Sequence, residues 1–296
     1  MPNTLDPAMI EALIRAVVGN AFSLNRLEPV AGGSIHPAYC AHGSNARYFI
    51  KTGVVQDLDM FEAEADGLAA LKATDTFRIP ECAGSASNET VAILALEFLD
   101  LKPLEDTADC RQAGHQLAAL HRHHGTQFGW RRPNYLGRTP HDNTGSTHWP
   151  EFLKTRRFAP LFQRADVLGF NDLLTPGRQL LSRLDALLVD TRPSPSLVHG
   201  DLWHGNVGVS ADGKIAVFDP AVCYGDAAFD LALTRLFGGF HDMFFVGYNE
   251  ASGEREPSPT IASLYRLYHV LNHLILFGRP YLGESLRLTR NILKSA

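Results

Sequence analysis

The 296-residue chain is 45% apolar and 20% charged, with a formal net charge of -5 and a pI near 6.2. It can bury a full core as one large domain or two modest lobes, and its acidic balance excludes phosphate-backbone binding as the main activity, so no nucleic-acid partner is expected. Cys40, Cys82, Cys110 and Cys223 are scattered without a CxxC pair, and there is neither a basic leader nor an apolar run of membrane-spanning length, so a cytoplasmic protein without a membrane partner is expected.

In chain order, Asp6-Pro7 sets up a helix in which Met9, Ile10, Leu13, Ile14, Val17 and Val18 recur at helical spacing until Gly19-Asn20. Short strand-like pieces follow at 27–30, 38–41 and 48–51, separated by glycines, and read as an antiparallel meander. Residues 58–72 return to helical spacing, with Leu58, Phe61, Ala65, Leu68 and Leu71 on one face. VAILALEF, 91–98, is a continuous apolar strand. Beyond it the pattern is helical at 105–123, 149–166, 172–189, 259–277 and 280–293. Residues 125–148, rich in Gly, Pro, Asn and Thr, read as a long surface loop. A β-rich first third and a helical remainder predict an α+β fold of two lobes, an N-terminal nucleotide-binding lobe at 1–99 and a C-terminal helical lobe at 100–296.

The densest chemistry lies in LVHGDLWHGNVGVSADGKIAVFDP, residues 197–220. Two apolar runs, 196–198 and 215–218, bracket a polar loop. Asp201, Asn206 and Asp219 near their ends can set one carboxylate beside a substrate hydroxyl while two further oxygen donors hold Mg²⁺, as phosphoryl transfer requires. Turn capping accounts for single Asp or Asn residues, as at Ala211-Asp212-Gly213, but poorly for the trio.

Lys51 closes a strand in a chain with six lysines against twenty-one arginines. It is placed to meet nucleotide phosphates and the helix carboxylate Glu64, although a solvated edge lysine is the commoner reading of such a residue alone. Gly32, Gly33 and Ser34 sit between the first two strands, where backbone N–H groups could cover phosphates; without P-loop or GxGxxG spacing they also fit an ordinary turn. The run His121-Arg122-His123-His124 lacks further metal ligands and reads as a cationic helix end. Trp203 suits a sugar face and a lobe-interface aromatic equally well. Asp226 fits an N-cap, and Asp230, inside an apolar helix, fits a brace for the 199–206 backbone.

HGDLWHGN followed by VFDPAVCYGDAAFDLAL closely resembles the fructosamine kinase (ketosamine-3-kinase) family, within the wider aminoglycoside phosphotransferase and choline kinase group. AGGSIHPAY, YFIK, FEAEADGL, LEFLD, LAALHRHHGTQFGW, WPEFLKTRR and YRLYHVLNHLILFG extend the resemblance over nearly the whole chain. It implies a protein-kinase-like two-lobed fold and an ATP-dependent, Mg²⁺-requiring kinase acting on the sugar 3-hydroxyl of ketosamines. By the same resemblance Asp201 is the catalytic base, Asn206 and Asp219 are Mg²⁺ ligands, and Lys51 with Glu64 anchors phosphate. Glu97 and Leu99 offer backbone groups to adenine, and His199 and Asp230 hold the catalytic loop. Asp219-Pro220-Ala221 stands where protein kinases carry DFG, so no mobile-phenylalanine switch is expected. Trp203, with Trp149 and Arg157 from the 149–157 segment, is expected to wall the acceptor.

Two rival readings remain. An aminoglycoside- or choline-type phosphotransferase would favour an acidic acceptor groove, whereas WPEFLKTRRFAPLFQR is basic. A catalytically dead binding module would have lost one of Lys51, Asp201, Asn206 or Asp219, and none is missing. No oligomeric state is assigned.

Overall fold

The computed structural model describes residues 6–30, 35–253 and 257–295. They form two compact units, Met1–Pro103 with Val207–Asp219, and Leu104–Asn206 with Pro220–Ala296.

The first stretch runs α1 (Pro7–Val18), β1 (Leu24–Val30), β2 (Ala38–Gly43), β3 (Arg47–Val54), α2 (Leu58–Lys72), β4 (Cys82–Ser87), β5 (Val91–Glu97) and β6 (Leu101–Lys102). Five strands make an antiparallel sheet in the order β1-β2-β3-β5-β4. Asp6 caps α1 by accepting the Ala8 N–H, with Pro7 in the first turn where no donor is needed. The apolar face of α1, Ile10, Leu13 and Ile14, packs with Phe22, Ala41, Ile50, Ile93 and Ala95 into one cluster. Strand side chains alternate between faces, so Ile50 joins that cluster and Lys51 points the other way, toward α2.

The chain continues through α3 (Thr107–His121), β7 (Asn134–Leu136), β8 (Thr139–His141), α4 (Trp149–Phe152), a π-helical turn at Leu153–Phe158, α5 (Ala159–Val167), α6 (Leu174–Leu187) and β9 (Ser196–Val198). Then come β10 (Val207–Ser210), β11 (Ile215–Val217), β12 (Cys223–Gly225), α7 (Ala228–Leu236), α8 (Asp242–Ser252), α9 (Pro259–Phe277) and α10 (Leu282–Lys294). The centre of the second unit is α9. It is apolar nearly all round, as a core helix must be, and buries Leu264, Tyr265, Tyr268, Leu271 and Leu274 against Phe152, Phe158, Phe229 and Leu288.

Pairing explains where the units divide. β10 pairs with both β11 and β6, and Arg78 bridges Ala216, donating to Ile215 O at 2.9 Å and accepting from Val217 N at 3.1 Å. The 207–219 hairpin therefore belongs with residues 1–103, whereas the sequence reading put it with the C-terminal lobe and drew the boundary at 99.

The 125–148 segment is more than a surface loop. It contains the β7–β8 hairpin and buries Phe128, Asn134, Leu136, His141 and Asn143. The helix expected at 149–166 is interrupted because Pro160 cannot donate to the Arg156 carbonyl four residues back. The Arg157 guanidinium takes that carbonyl instead, at 3.1 Å, and the Ala159 N–H reaches Lys154 O in π fashion.

Candidate active site

In the second unit β9, paired to β12, delivers the chain to His199-Gly200-Asp201. The N–H groups of His199 and Gly200 donate to the two carboxylate oxygens of Asp230, at 2.7 and 2.8 Å. Asp230 lies in the first turn of α7 and is only 1% exposed. Burial pushes its carboxyl up, but the His121 hydrogen bond, the neighbouring histidines and the Gly200 N–H outweigh that and hold it below the ordinary Asp range. Gly200 has φ +82°, and a Cβ there would stand 2.1 Å from the Ala221 carbonyl oxygen, so glycine is required. Ala221 N–H donates back to His199 O at 2.9 Å.

The far end of the loop is tied by Asn206, buried in the short turn His204–Asn206. Its amide nitrogen donates to the Asp201 carbonyl at 2.9 Å and to Asp201 Oδ2 at 3.3 Å. Only nitrogen can serve a carbonyl acceptor, so Oδ1 is the oxygen left for other chemistry. The half-buried Trp203 indole lies over Gly205, where a Cβ would come within 2.4 to 2.7 Å of three ring atoms, and it meets the His204 ring edge-on at 4.9 Å.

In the first unit Lys51 Nζ donates to both oxygens of Glu64 at 2.8 Å and to Asp219 Oδ1 at 2.6 Å. Lys51 and Glu64 are nearly buried, whereas the Asp219 side chain is 48% exposed. Burial alone would lower the Lys51 pKa, but the charges of Asp219 and Glu64 reverse that and hold the ammonium charged. Burial pushes Glu64 up to about 7, against the pull of Lys51. Asp219 follows β11 with φ +62°, a left-handed conformation that Asp adopts more readily than most residues.

The Lys51–Glu64 pair expected from sequence is thus formed, and Asp219 joins it. Asp201, Asn206, His199 and Asp230 are gathered in the second unit. Gly32, Gly33 and Ser34 lie outside the described residues.

Other expectations need correction. Of the Glu97 backbone groups offered to adenine in the sequence reading, the N–H is taken by Glu81 O at 2.7 Å, and the carboxylate pairs with Arg78 and accepts the Glu81 N–H. Leu99 follows β5, outside the strands. Trp149 is 2% exposed, donates to the Tyr265 hydroxyl at 2.8 Å and packs among Phe128, Phe152 and Phe229. Arg157 is 3% exposed, bonded to Asp142 O, Arg156 O and Asn143 Oδ1 and lying over the Phe152 ring. Side chains so buried cannot form a wall for a solute. The basic character of the segment also shrinks, because Lys154 pairs with Asp185 and Arg156 with Asp142.

His121, read from the sequence as part of a cationic helix end, turns inward instead, while residues 122–124 stay exposed. It is buried, and its Nε2 lies 3.2 Å from Asp230 Oδ2. The signal was present, since Cys110, Gly114, Leu117 and His121 share the buried face of α3.

A family model described as "Fructosamine kinase" matches residues 7–295. A Synechocystis protein named "Probable ketoamine kinase" is 36% identical over 286 residues, 95% of each chain. The chloroplastic protein-ribulosamine 3-kinase of Arabidopsis thaliana is 30% identical over 294 residues, 97% of this chain and 89% of that one. Among solved structures, a Haemophilus somnus "Putative fructosamine-3-kinase" superposes with a TM-score of 0.87 at 24% identity, covering 97% of each chain. The fold is α+β and protein-kinase-like, with a small antiparallel sheet toward the N-terminus and a helical C-terminal region.

Proposed function

The chain belongs to the fructosamine kinase family, and from that premise we propose that it is an ATP-dependent ketosamine 3-kinase, transferring the γ-phosphoryl group of ATP to the sugar 3-hydroxyl of a fructosamine-type adduct. The observation that carries the reaction class is the buried Lys51 ammonium shared by Glu64 and Asp219. A cation so held is a fixed point charge for nucleotide phosphates, and phosphoryl transfer depends on such positioning and charge neutralisation. The acceptor class is supported by the ketoamine kinase and ribulosamine 3-kinase names of the relatives.

In this reading Asp201 accepts the proton of the attacking hydroxyl. Its carboxylate is oriented by Asn206 Nδ2, and its place in the loop is set by the Asp230 brace. Asn206 Oδ1 and the half-exposed carboxylate of Asp219 are hard oxygen donors that suit Mg²⁺, which takes one or two protein oxygens besides phosphate and water. When bound, Mg²⁺ neutralises charge on the transferring phosphate. Leu99 and Gly32, Gly33 and Ser34 are proposed to face the nucleotide, and the Trp203 indole to stack on the sugar. Phosphorylation at the third carbon would mark a glycated amine for removal, a deglycation reaction. None of the helices among the described residues is long and apolar enough to cross a membrane, and all four cysteines are free thiols, which supports a cytoplasmic setting.

The aminoglycoside or choline reading is disfavoured by the family match, and a dead binding module by the presence of Lys51, Glu64, Asp201, Asn206 and Asp219. An ADP-release screen across ketosamines, aminoglycosides, choline and simple sugars tests the proposal. Ketosamines are expected to give the highest turnover; turnover led by an aminoglycoside or choline, or none with any acceptor, overturns it.

A further inference from the structure

Asp230 takes a third donor besides the two loop amides, and that donor comes from a different helix. His121, the last residue of α3, directs Nε2 at Asp230 Oδ2 at 3.2 Å, the oxygen that also receives the His199 N–H. An ionised carboxylate only accepts, so Nε2 carries the hydrogen in either protonation state of the ring. The other ring nitrogen, Nδ1, meets the Tyr248 hydroxyl of α8 at 2.9 Å, and the two rings also stand edge-to-face at 5.5 Å. All three side chains are buried.

The helix that supplies Tyr248 is itself closely docked. A Cβ on Gly114 of α3 would fall 2.0 Å from Phe244 O, and one on Gly247 of α8 would fall 2.1 Å from Arg111 O. Arg111 and His115 of α3 bind Glu250 of α8 across the same seam. The seam leaves Tyr248 little freedom to move relative to His121.

We infer that His121 and Tyr248 are positioning residues, which fix the catalytic loop from α8 by holding the Asp230 carboxylate in register with the His199 and Gly200 amides. Neither side chain acts on substrate. Without the His121 donor, Asp230 retains the two loop amides but can rotate or shift by a fraction of an ångström, and Asp201 moves with the backbone that Asp230 holds. Small displacements of a base from its attack geometry lower turnover steeply while leaving ground-state contacts nearly intact. The inference rests on the reading of Asp201 as the base.

The test compares His121→Leu, His121→Gln and Tyr248→Phe with the unmodified chain, by steady-state kinetics with ATP and a ketosamine and by amide hydrogen exchange at residues 199–201. His121→Leu is expected to lower kcat by about tenfold or more with both KM values within about twofold. His121→Gln, whose amide can still donate to Asp230, should recover most of that loss. Tyr248→Phe, which removes one oxygen, should lower kcat by about threefold and speed exchange of the Gly200 amide. Unchanged kcat and unchanged exchange in Tyr248→Phe, or an equal kcat loss in the Leu and Gln variants, would overturn the inference. If His121→Leu does not fold, the Gln and Phe variants decide. An unmodified chain inert toward ketosamines would sink the proposed function instead, while the exchange data would still read the brace.

Discussion

In the first unit the buried polar centre is held by charge, with Lys51 between two carboxylates at 2.6 and 2.8 Å. In the second it is held by N–H and hydroxyl groups: Asp230 takes the amides of His199 and Gly200, His141 Nε2 meets the Tyr268 hydroxyl at 2.7 Å, and His269 is enclosed beside Phe229 and Tyr268. The difference fixes where each is fragile. A charge cluster fails when a buried charge is left without its partner, whereas a cluster of uncharged groups fails when one of them is forced to gain a charge. Burial raises Glu64, so the native first unit holds a proton that the unfolded chain releases between about 4.5 and about 7, and stability falls as pH rises through that window. Burial lowers His269 to about 3, so the unfolded chain takes up a proton that the native second unit refuses, and stability falls as pH drops from 6.5 toward 3.

The largest expected effect breaks the loop's function without touching its brace. Asp201→Asn should lower kcat by about 10²- to 10⁴-fold while leaving the KM for ATP nearly unchanged, because it removes a proton acceptor and keeps the side-chain shape. A variant retaining more than a tenth of the original rate would take Asp201 out of the base role.

Next is the charge cluster. Lys51→Met strands Glu64 without its cation and should destabilise the protein by about 3 to 5 kcal/mol near neutral pH. Denaturant titrations across pH check the sign: the deficit should grow as pH rises through about 7, where Glu64 ionises against Lys51 in the unmodified chain and has no cation to meet in the variant. A deficit that grows on acidification would mean that burial does not govern Glu64.

The neutral cluster gives a smaller effect of opposite sign. His269→Phe keeps an aromatic ring beside Phe229 and Tyr268 but removes the titrating group. Between pH 6.5 and about 4 it should flatten the slope of stability by up to about 1.4 kcal/mol per pH unit. An unchanged slope would mean that His269 is not the group refusing the proton.

How much of this contrast could be read from the sequence differed between the units. The helices Pro7–Val18, Leu58–Lys72 and Pro259–Phe277 lie close to their expected positions, because their periodicity and caps are local signals. β4 was missed because Cys-Ala-Gly-Ser-Ala-Ser carries no apolar alternation and becomes a strand only through pairing with β5. α8 was missed because it is short and is capped by His241 rather than by one of the usual Ser, Thr, Asp or Asn caps. Lys51–Glu64 was legible, since strand and helix each announce themselves. Trp149 and Arg157 were misplaced because sequence shows an aromatic and a cation near a motif without showing that Tyr265 and Asn143 already hold them. His121 was hidden inside a run of basic residues whose first member alone turns inward.

The smallest expected effect sharpens the acceptor side. If the indole stacks only on the acceptor, as proposed, Trp203→Ala should raise the KM for the ketosamine by about tenfold and the KM for ATP by less than about twofold. Equal rises in both constants would assign Trp203 to packing.

The most direct measurement is the position of the transferred phosphate. Incubating the protein with ATP, Mg²⁺ and fructosyl-lysine and resolving the product by ³¹P and ¹³C NMR should place the phosphoryl group on the third carbon of the sugar, with no comparable product from fructose or kanamycin. Phosphate on any other carbon, or a kanamycin product formed faster than the fructosyl-lysine one, would contradict the assignment.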